Sequence, residues 1–224
     1  MEKLIHDGSN IQCPLCGNRD ISQSLTSAID LNYWLCAQCK LIFADRSELP
    51  EPDAEKERYL THQNGIQYPG YVKFLNQAVK PTLQFLKPGM RGLDYGCGHT
   101  PTLSILLRRK GFYCDVYDPL FYPDLPDGLF DFVFVLEVAE HFFHPREEII
   151  KLDNLLHPGG MMTIMTLFWI DAKRFSDWYY PKDFTHVSFY HTQTMQSICE
   201  LFGFKQIYSD NERIAILKKS LDFG

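Results

Sequence analysis

Two pairs of cysteines, Cys13 with Cys16 and Cys36 with Cys39, stand nineteen residues apart. A CxxC turn brings two thiolates onto one metal, and two such turns complete a tetrahedron, so these four sulfurs predict a Zn2+ site of zinc-ribbon type. A redox-active pair or disulfides are the competing uses of the same residues. The stretch between the pairs is hydroxyl-rich and aromatic, which suits short strands. Residues 1–47 are too few to bury a sufficient core, so the metal is expected to supply much of their folding energy.

A second set of residues has ligand-holding chemistry. In "GLDYGCG" a short strand runs into a loop where Gly96 and Gly98 let the backbone turn tightly and approach a ligand with no Cβ in the way. Asp118 follows about twenty residues later at the end of the strand predicted for "FYCDVYD", where a carboxylate can accept hydrogen bonds from both ribose hydroxyls. The third glycine of a dinucleotide fingerprint would fall at Pro101, and its absence argues against a nicotinamide enzyme. Further on, "EHFFH" offers Glu140, His141 and His144, and "DFTHVSFY" offers Asp183, His186 and Tyr190. His141 and His186 are the candidate general bases for an acceptor that must lose a proton. The plainer reading makes each a histidine that orients a loop by hydrogen bonding, and His144, before Pro145, reads as a loop residue.

A frame must place these groups. Thr100 suits an N-cap and Pro101 a first helical position, with "TLSILLRRK" as the helix and Gly111 as its C-cap. "FDFVFVL" reads as a buried strand. "REEIIKLDNLL" reads as an amphipathic helix closed by Pro158-Gly159-Gly160, and "MMTIMTLF" as the next strand. "TQTMQSICELFGF" is a helix, and "KQIYS" with "RIAILKK" forms a hairpin. Ahead of all this, residues 46–57 are rich in proline and charge and read as a linker. A helix over 55–63 puts Tyr59 and His62 on one face. From Tyr71, Val72, Phe74, Leu75, Ala78 and Val79 recur at helical spacing, with Pro81 bending or dividing that helix before "KPG" ends it. Strands alternating with helices predict an α/β doubly wound sheet.

Bulk properties narrow the function. The chain has 224 residues, seven cysteines and a net charge of -6. That charge disfavours general nucleic-acid binding, which needs a lysine and arginine surplus. In the first fifty residues Lys3, Arg19, Lys40 and Arg46 face Glu2, Asp7, Asp20, Asp30, Asp45 and Glu48, so the ribbon carries no phosphate-binding footprint. No stretch has signal-peptide or membrane-span character. A reducing, cytoplasmic setting is expected.

The ordered set LDYGCG, VYDP, FDFVFVLEVAEH, LLHPGG and a closing hairpin, over residues 90–217, resembles class I S-adenosylmethionine-dependent methyltransferases. With the zinc ribbon and "DFTHVSFY", the chain is similar to bacterial zinc-ribbon methyltransferases. The resemblance implies a seven-stranded Rossmann-like sheet, its last hairpin strand antiparallel, over residues 89–224, behind a ribbon at 1–47 and a linker and helical cap at 48–88. It implies that Asp94 and the Gly96-Cys97-Gly98 backbone hold the methionine part of S-adenosylmethionine. Asp118, with Pro119 beside it, would hold the ribose, and Glu137 and Val138 would wall the sulfonium. For Asp94 the alternative is a carboxylate that caps backbone amides.

Two departures stand out. The family's GCGxG loop reads GCGHT here, and only eleven residues separate Asp118 from Phe130, too few for the usual helix and third strand. Leu120, Phe121 or Tyr122 then become the candidate adenine wall. The aromatic run Trp178, Tyr179, Tyr180, Phe184, Phe189 and Tyr190 falls where the family places a substrate lid. It would clamp a flat or greasy molecule, or else glue the lid to the ribbon. The expected activity is O-, N- or C-methylation of a small molecule, with S-adenosylhomocysteine as product. The alternatives are an RNA methyltransferase and a non-catalytic cofactor-binding or scaffold protein.

Overall fold

The computed structural model describes residues 11–45 and 64–221. The expected linker at 46–57 and the helix at 55–63, with Tyr59 and His62, lie outside the described residues. In chain order the elements begin with β1 (Ile21–Thr26), β2 (Asn32–Cys36), β3 (Ile42–Ala44), α1 (Pro69–Leu83), β4 (Arg91–Tyr95), α2 (Thr102–Arg108) and β5 (Tyr113–Tyr117). They continue with β6 (Phe130–Leu136), α3 (Pro145–Asn154), β7 (Leu156–Met165), β8 (Ser188–Phe189), α4 (Thr192–Phe202), β9 (Phe204–Ser209) and β10 (Ile214–Lys219).

The main sheet has the order β5-β4-β6-β7-β10-β9. Strands β4 to β7 are parallel, while β10 runs antiparallel to both β7 and β9. Strand β6 shows why this sheet forms. Nearly every residue of FDFVFVL is buried, as a parallel strand covered on both faces requires. Its side chains alternate between two cores. Val133 and Val135 pack with Ile149, Leu152 and Ile198, whereas Phe132 and Phe134 pack with Leu75, Val79, Leu103 and Leu107.

The sheet has six strands among the described residues, not the seven expected. Between β5 and β6 the chain makes only the isolated bridge of Asp118 with Tyr122, because a short segment interrupted by Pro119, Pro123 and Pro126 cannot form both a helix and a ladder strand. Three local expectations also shift. Helix α2 starts at Thr102, with Pro101 in the cap position and no side-chain cap from Thr100. Its end does use Gly111, at φ +86: the Phe112 amide donates to the Leu107 carbonyl at 3.1 Å and the Gly111 amide to Arg108 at 3.0 Å. Pro81 neither divides nor ends α1 at once, since the helix runs two residues past it. The Pro-Gly-Gly turn is absorbed into the start of β7, where the ladder jumps from Phe130–Leu156 to Phe132–Met161.

The ribbon is not a free-standing module. Strand β8, from the far end of the chain, pairs with β3 and completes a four-stranded sheet in the order β1-β2-β3-β8. Leu15, Leu41 and Phe43 share a core with Phe142, Tyr190, Met195 and Ile198. Arg146 clamps the first knuckle, its backbone amide donating to Pro14 and its Nη1 to Leu15 at 3.1 Å. Trp169 Nε1 and Gln193 Nε2 hold the second through the carbonyls of Lys40 and Gln38, each at 2.9 Å. No helix among the described residues is long and apolar enough to cross a membrane.

Candidate functional site

The four ribbon cysteines converge. Sγ of Cys13 lies 3.6 Å from that of Cys39, Cys16 lies 3.6 Å from Cys36, and all four sulfurs fall within 4.8 Å of one another. A tetrahedral Zn2+ with bonds of about 2.3 Å sets its sulfurs about 3.8 Å apart, whereas a disulfide needs about 2.05 Å. Each knuckle closes on a left-handed residue, Gly17 at φ +77 and Lys40 at φ +58. Their amides return to the carbonyls of Cys13 and Cys36. The cluster fits a structural Zn2+.

Over the carboxyl ends of β4, β5 and β6 lies a cavity of about 1040 Å³. Its first wall is the glycine loop. The amides of Gly96 and Cys97 donate to the Tyr117 carbonyl at 2.8 and 3.2 Å, which pins the loop to β5. Gly96 and Gly98 both have positive φ. A Cβ on Gly96 would strike Val138 Cγ2 at 2.5 Å, while one on Gly98 would meet nothing nearer than Asn64 Nδ2 at 3.9 Å. Gly96 thus packs against Val138 and Gly98 fronts open space, the cradle an approaching ligand needs.

Asp118 is buried behind this loop. Its Oδ2 accepts the Gly98 amide at 2.9 Å, and its Oδ1 accepts those of Leu120 and Phe121 at 2.9 and 3.2 Å. A carboxylate has about four acceptor sites, so these contacts leave room for one ligand hydroxyl where the sequence suggested two. Pro119 and Leu120 line the cavity, while Phe121 turns to pack edge-on against His99, 5.8 Å between ring centroids. His99 Nδ1 is buried without a hydrogen-bond partner among the described residues. The glycine cradle, the acidic β5 terminus and this orphaned nitrogen fit an adenosyl cofactor.

Asp94 does not line the cavity. Burial is the main force pushing its pKa up to about 7, against the opposing pull of the Ser104 backbone amide. Buried and turned away from the cavity, it is better suited to the amide-capping alternative than to holding a ligand. The floor consists of Tyr95 and Tyr117, whose rings Lys151 Nζ overhangs at 5.1 and 4.7 Å, and of Glu148, which accepts the Tyr95 hydroxyl at 2.5 Å. Tyr71, Phe74 and Leu75 of α1 also line the cavity.

At the opposite end, Glu137 and Val138 leave β6 into a 3-10 turn over Ala139–His141. Glu137 sits at φ +53, a region costing a non-glycine residue about 1–3 kcal/mol, with its amide anchored to Met165 O at 2.7 Å. Burial, aided by the Glu140 charge, pushes its carboxyl up to about 9 against the pull of Arg213. Glu140 is 1% exposed, and its Oε1 accepts the Tyr180 hydroxyl at 2.5 Å. His141 Nδ1 lies 3.0 Å from Thr185 O, and His186 Nδ1 lies 2.9 Å from Tyr180 O. The two imidazoles are 4.9 Å apart. Burial is the main cause that lowers the His186 pKa.

The aromatic run divides. Tyr179, Tyr180 and Phe184 line the cavity; Trp178, Phe189 and Tyr190 do not. Phe189 packs with Tyr33 and Phe175 at 5.4 and 5.3 Å, and Trp178 packs behind it, its ring tilted, at 5.6 Å. Tyr190, with no exposed surface, donates its hydroxyl to Ala139 O at 3.0 Å. These three residues glue the segment to the ribbon and brace the Glu140 turn, because β8 must bury both faces. The sequence expectation of lid residues is corrected for them. Sequence reasoning missed Tyr71, Phe74, Glu148 and Lys151 as lining residues. Tyr71 and Phe74, a helical turn apart, carried a readable signal; Lys151 and Glu148 looked like an exposed helical face.

A mostly parallel sheet with an antiparallel terminal hairpin and a cavity over its carboxyl ends defines a Rossmann-like methyltransferase fold. A family model for a methyltransferase domain matches residues 67–209, more than half of the chain. The chain belongs to that family, the class I S-adenosylmethionine-dependent methyltransferases. No curated protein sequence matches it. Among solved structures it is similar to an O-methyltransferase family protein from Burkholderia thailandensis, at 18% identity and a TM-score of 0.51, covering 78% of this chain and 65% of that one. It is also similar to a protein described as a sarcosine dimethylglycine methyltransferase from Galdieria sulphuraria, at 11% identity and a TM-score of 0.50, covering 68% and 88%. The N-methyltransferase NodS from Bradyrhizobium japonicum, solved with S-adenosyl-L-homocysteine, shows 16% identity and a TM-score of 0.48 over 74% and 97%. The chain spans less than two thirds of the Burkholderia protein, and at these identities the likeness is one of fold.

Proposed function

We propose that this chain methylates a small molecule, with S-adenosylmethionine as donor. One observation carries the reading: a single cavity runs from the glycine loop and Asp118 to Glu140, His141 and His186. Cofactor-holding residues and acceptor-facing residues therefore share one space, as the alignment needed for displacement demands. When bound, the cofactor supplies a methyl group on a sulfonium.

The chain's own residues do the rest. Gly96, Cys97 and Gly98 present backbone, Asp118 takes a ribose hydroxyl with Pro119 beside it, and Glu137 and Val138 wall the reacting end. Asp94 holds the loop rather than the ligand. The carboxylates of Asp118, Glu140, Glu148 and Asp183 around the cavity outnumber Lys151 and Lys182, which suits a cationic donor and opposes a nucleic-acid phosphate. Tyr179 and Tyr180 close the acceptor side, where His141 and His186 face the nucleophile.

The test is isothermal titration of zinc-loaded protein with S-adenosylmethionine and S-adenosylhomocysteine, on wild type and Asp118→Ala. Micromolar binding that the substitution weakens at least tenfold is expected. No binding to the wild type would remove the proposal.

A further inference from the structure

We infer that Glu140, His141 and His186 form a binding site for a divalent cation, with Glu137 at its edge, and that this cation seats an acceptor through its oxygen atoms. The acceptor role rests on the methyltransferase reading; the cation site rests on geometry alone. One ligand atom from each of the three residues falls within 4.8 Å of the others. Ligands that share an ion at 2.0–2.2 Å are on the order of 3–4 Å apart, so small side-chain adjustments suffice.

The hydrogen bonds behind the cluster are those of a metal site. A carbonyl only accepts, so the contacts of His141 Nδ1 with Thr185 O and of His186 Nδ1 with Tyr180 O place the proton of each neutral ring on Nδ1. The lone pair is then on Nε2. Ligating imidazoles are oriented by this kind of outer contact. The Tyr180 hydroxyl fixes Glu140 through Oε1, while Oε2 is buried with no hydrogen-bond partner among the described residues. Glu137 Oε1 is in the same position. Unsatisfied buried carboxylate oxygens are rare and call for a specific partner, and a cation between Glu140 and the two imidazoles gives Glu140 Oε2 one.

Two imidazoles and a carboxylate suit Mn2+, Fe2+, Co2+ or Zn2+ and leave coordination positions open. A molecule with a hydroxyl next to a second oxygen, such as a catechol, a vicinal diol or an α-hydroxy acid, can occupy two of them. Bound to the ion, the hydroxyl releases its proton to solvent far more readily than it does free. The acceptor atom is therefore oxygen.

Mn2+ is the probe, because the ribbon thiolates, already holding zinc, compete poorly for it. Zinc-loaded protein with one zinc per chain is titrated with Mn2+ while the free-ion signal is followed by electron paramagnetic resonance. One Mn2+ per chain beyond the zinc is expected, with nitrogen spin-echo modulation from two imidazoles. Glu140→Gln and His186→Gln are each expected to weaken it at least tenfold at unchanged zinc content. No Mn2+ uptake, or bound Mn2+ lacking imidazole coupling in the wild type, would overturn the site without recourse to any variant. Cofactor titration on the same sample separates the two readings. Cofactor binding without Mn2+ defeats the cation site alone, and Mn2+ binding without cofactor leaves the site standing but removes its acceptor role.

Discussion

The Tyr180 hydroxyl lies 2.5 Å from Glu140 Oε1 and holds a fully buried carboxyl group in the wall of the cavity. The same residue offers its carbonyl to His186 Nδ1 at 2.9 Å and its ring to the imidazole at 4.3 Å. One tyrosine thus orients two of the groups that face the acceptor. Tyr180→Phe keeps the ring and carbonyl but removes the donor. It should cost about 1–3 kcal/mol, a fall in Tm of several degrees for a chain of this size, with cofactor affinity unchanged within about twofold. Calorimetry and titration check both; a variant as stable as the wild type would show that the bond contributes nothing.

The two loop glycines should fail in different ways. Gly96→Ala drives a methyl group into Val138 at 2.5 Å on a backbone at φ +76, so its main cost is stability, at about 2 kcal/mol or more. Gly98→Ala at φ +65 has open space around it and should lose only about 1 kcal/mol. Its larger effect should be on cofactor binding, weakened at least tenfold because the methyl group occupies the cradle. Denaturation and titration on both variants decide; equal losses of binding at equal stability would sink the distinction.

Removing zinc should do more than unfold a small N-terminal piece. Cys13, Cys36 and Cys39 belong to the same core as Phe142 and Tyr190. Chelation is therefore expected to lower the Tm of the whole chain by about 10 °C or more, reversibly on adding zinc back. Two separate transitions, with the main one unmoved, would contradict this coupling.

Asp94 gives a pH signature. Burial raises its folded pKa to about 7, against 3.8 when unfolded. Below 3.8 both states hold the proton. As pH rises towards 7 only the unfolded chain releases it, so stability declines by up to about 4 kcal/mol and then levels off. Asp94→Asn keeps the side-chain shape and an acceptor oxygen but no titrating proton, and so escapes the decline. Its advantage over wild type should be about 2.5 kcal/mol greater at pH 8 than at pH 5 in chemical denaturation. An equal advantage at both would refute the assignment.

Much of the frame was legible because its signals are local. The apolar run of β6, the CxxC spacing and the Gly111 turn each report physics within a few residues. Gly96 and Gly98 were readable for the same reason, since only glycine adopts those backbone angles freely while leaving space for a ligand. What escaped depends on contacts distant in sequence. Phe189 and Tyr190 look like any aromatic lid until β8 is seen to pair with β3. Asp94 looks like a ligand-holding acid until it is found buried and outside the cavity lining. Glu140 could be named as a polar residue after a strand, but its burial under Tyr180 depends on a partner forty residues away.

The pairing of β3 with β8 also constrains how the protein is made. Tyr33 and His186, linked by a hydrogen bond, are 153 residues apart in the chain. At about 5–20 residues per second, the ribosome takes roughly 8–30 s to deliver the second after the first. The cysteine knuckles emerge early and can take up metal, yet the edge of β3 waits for its neighbour until most of the chain has been translated. An exposed strand edge invites pairing with other chains. A nascent or truncated product that stops short of Ser188 is the form most prone to aggregate, and the same late strand, arriving, closes the edge and sets the Glu140 turn in one event.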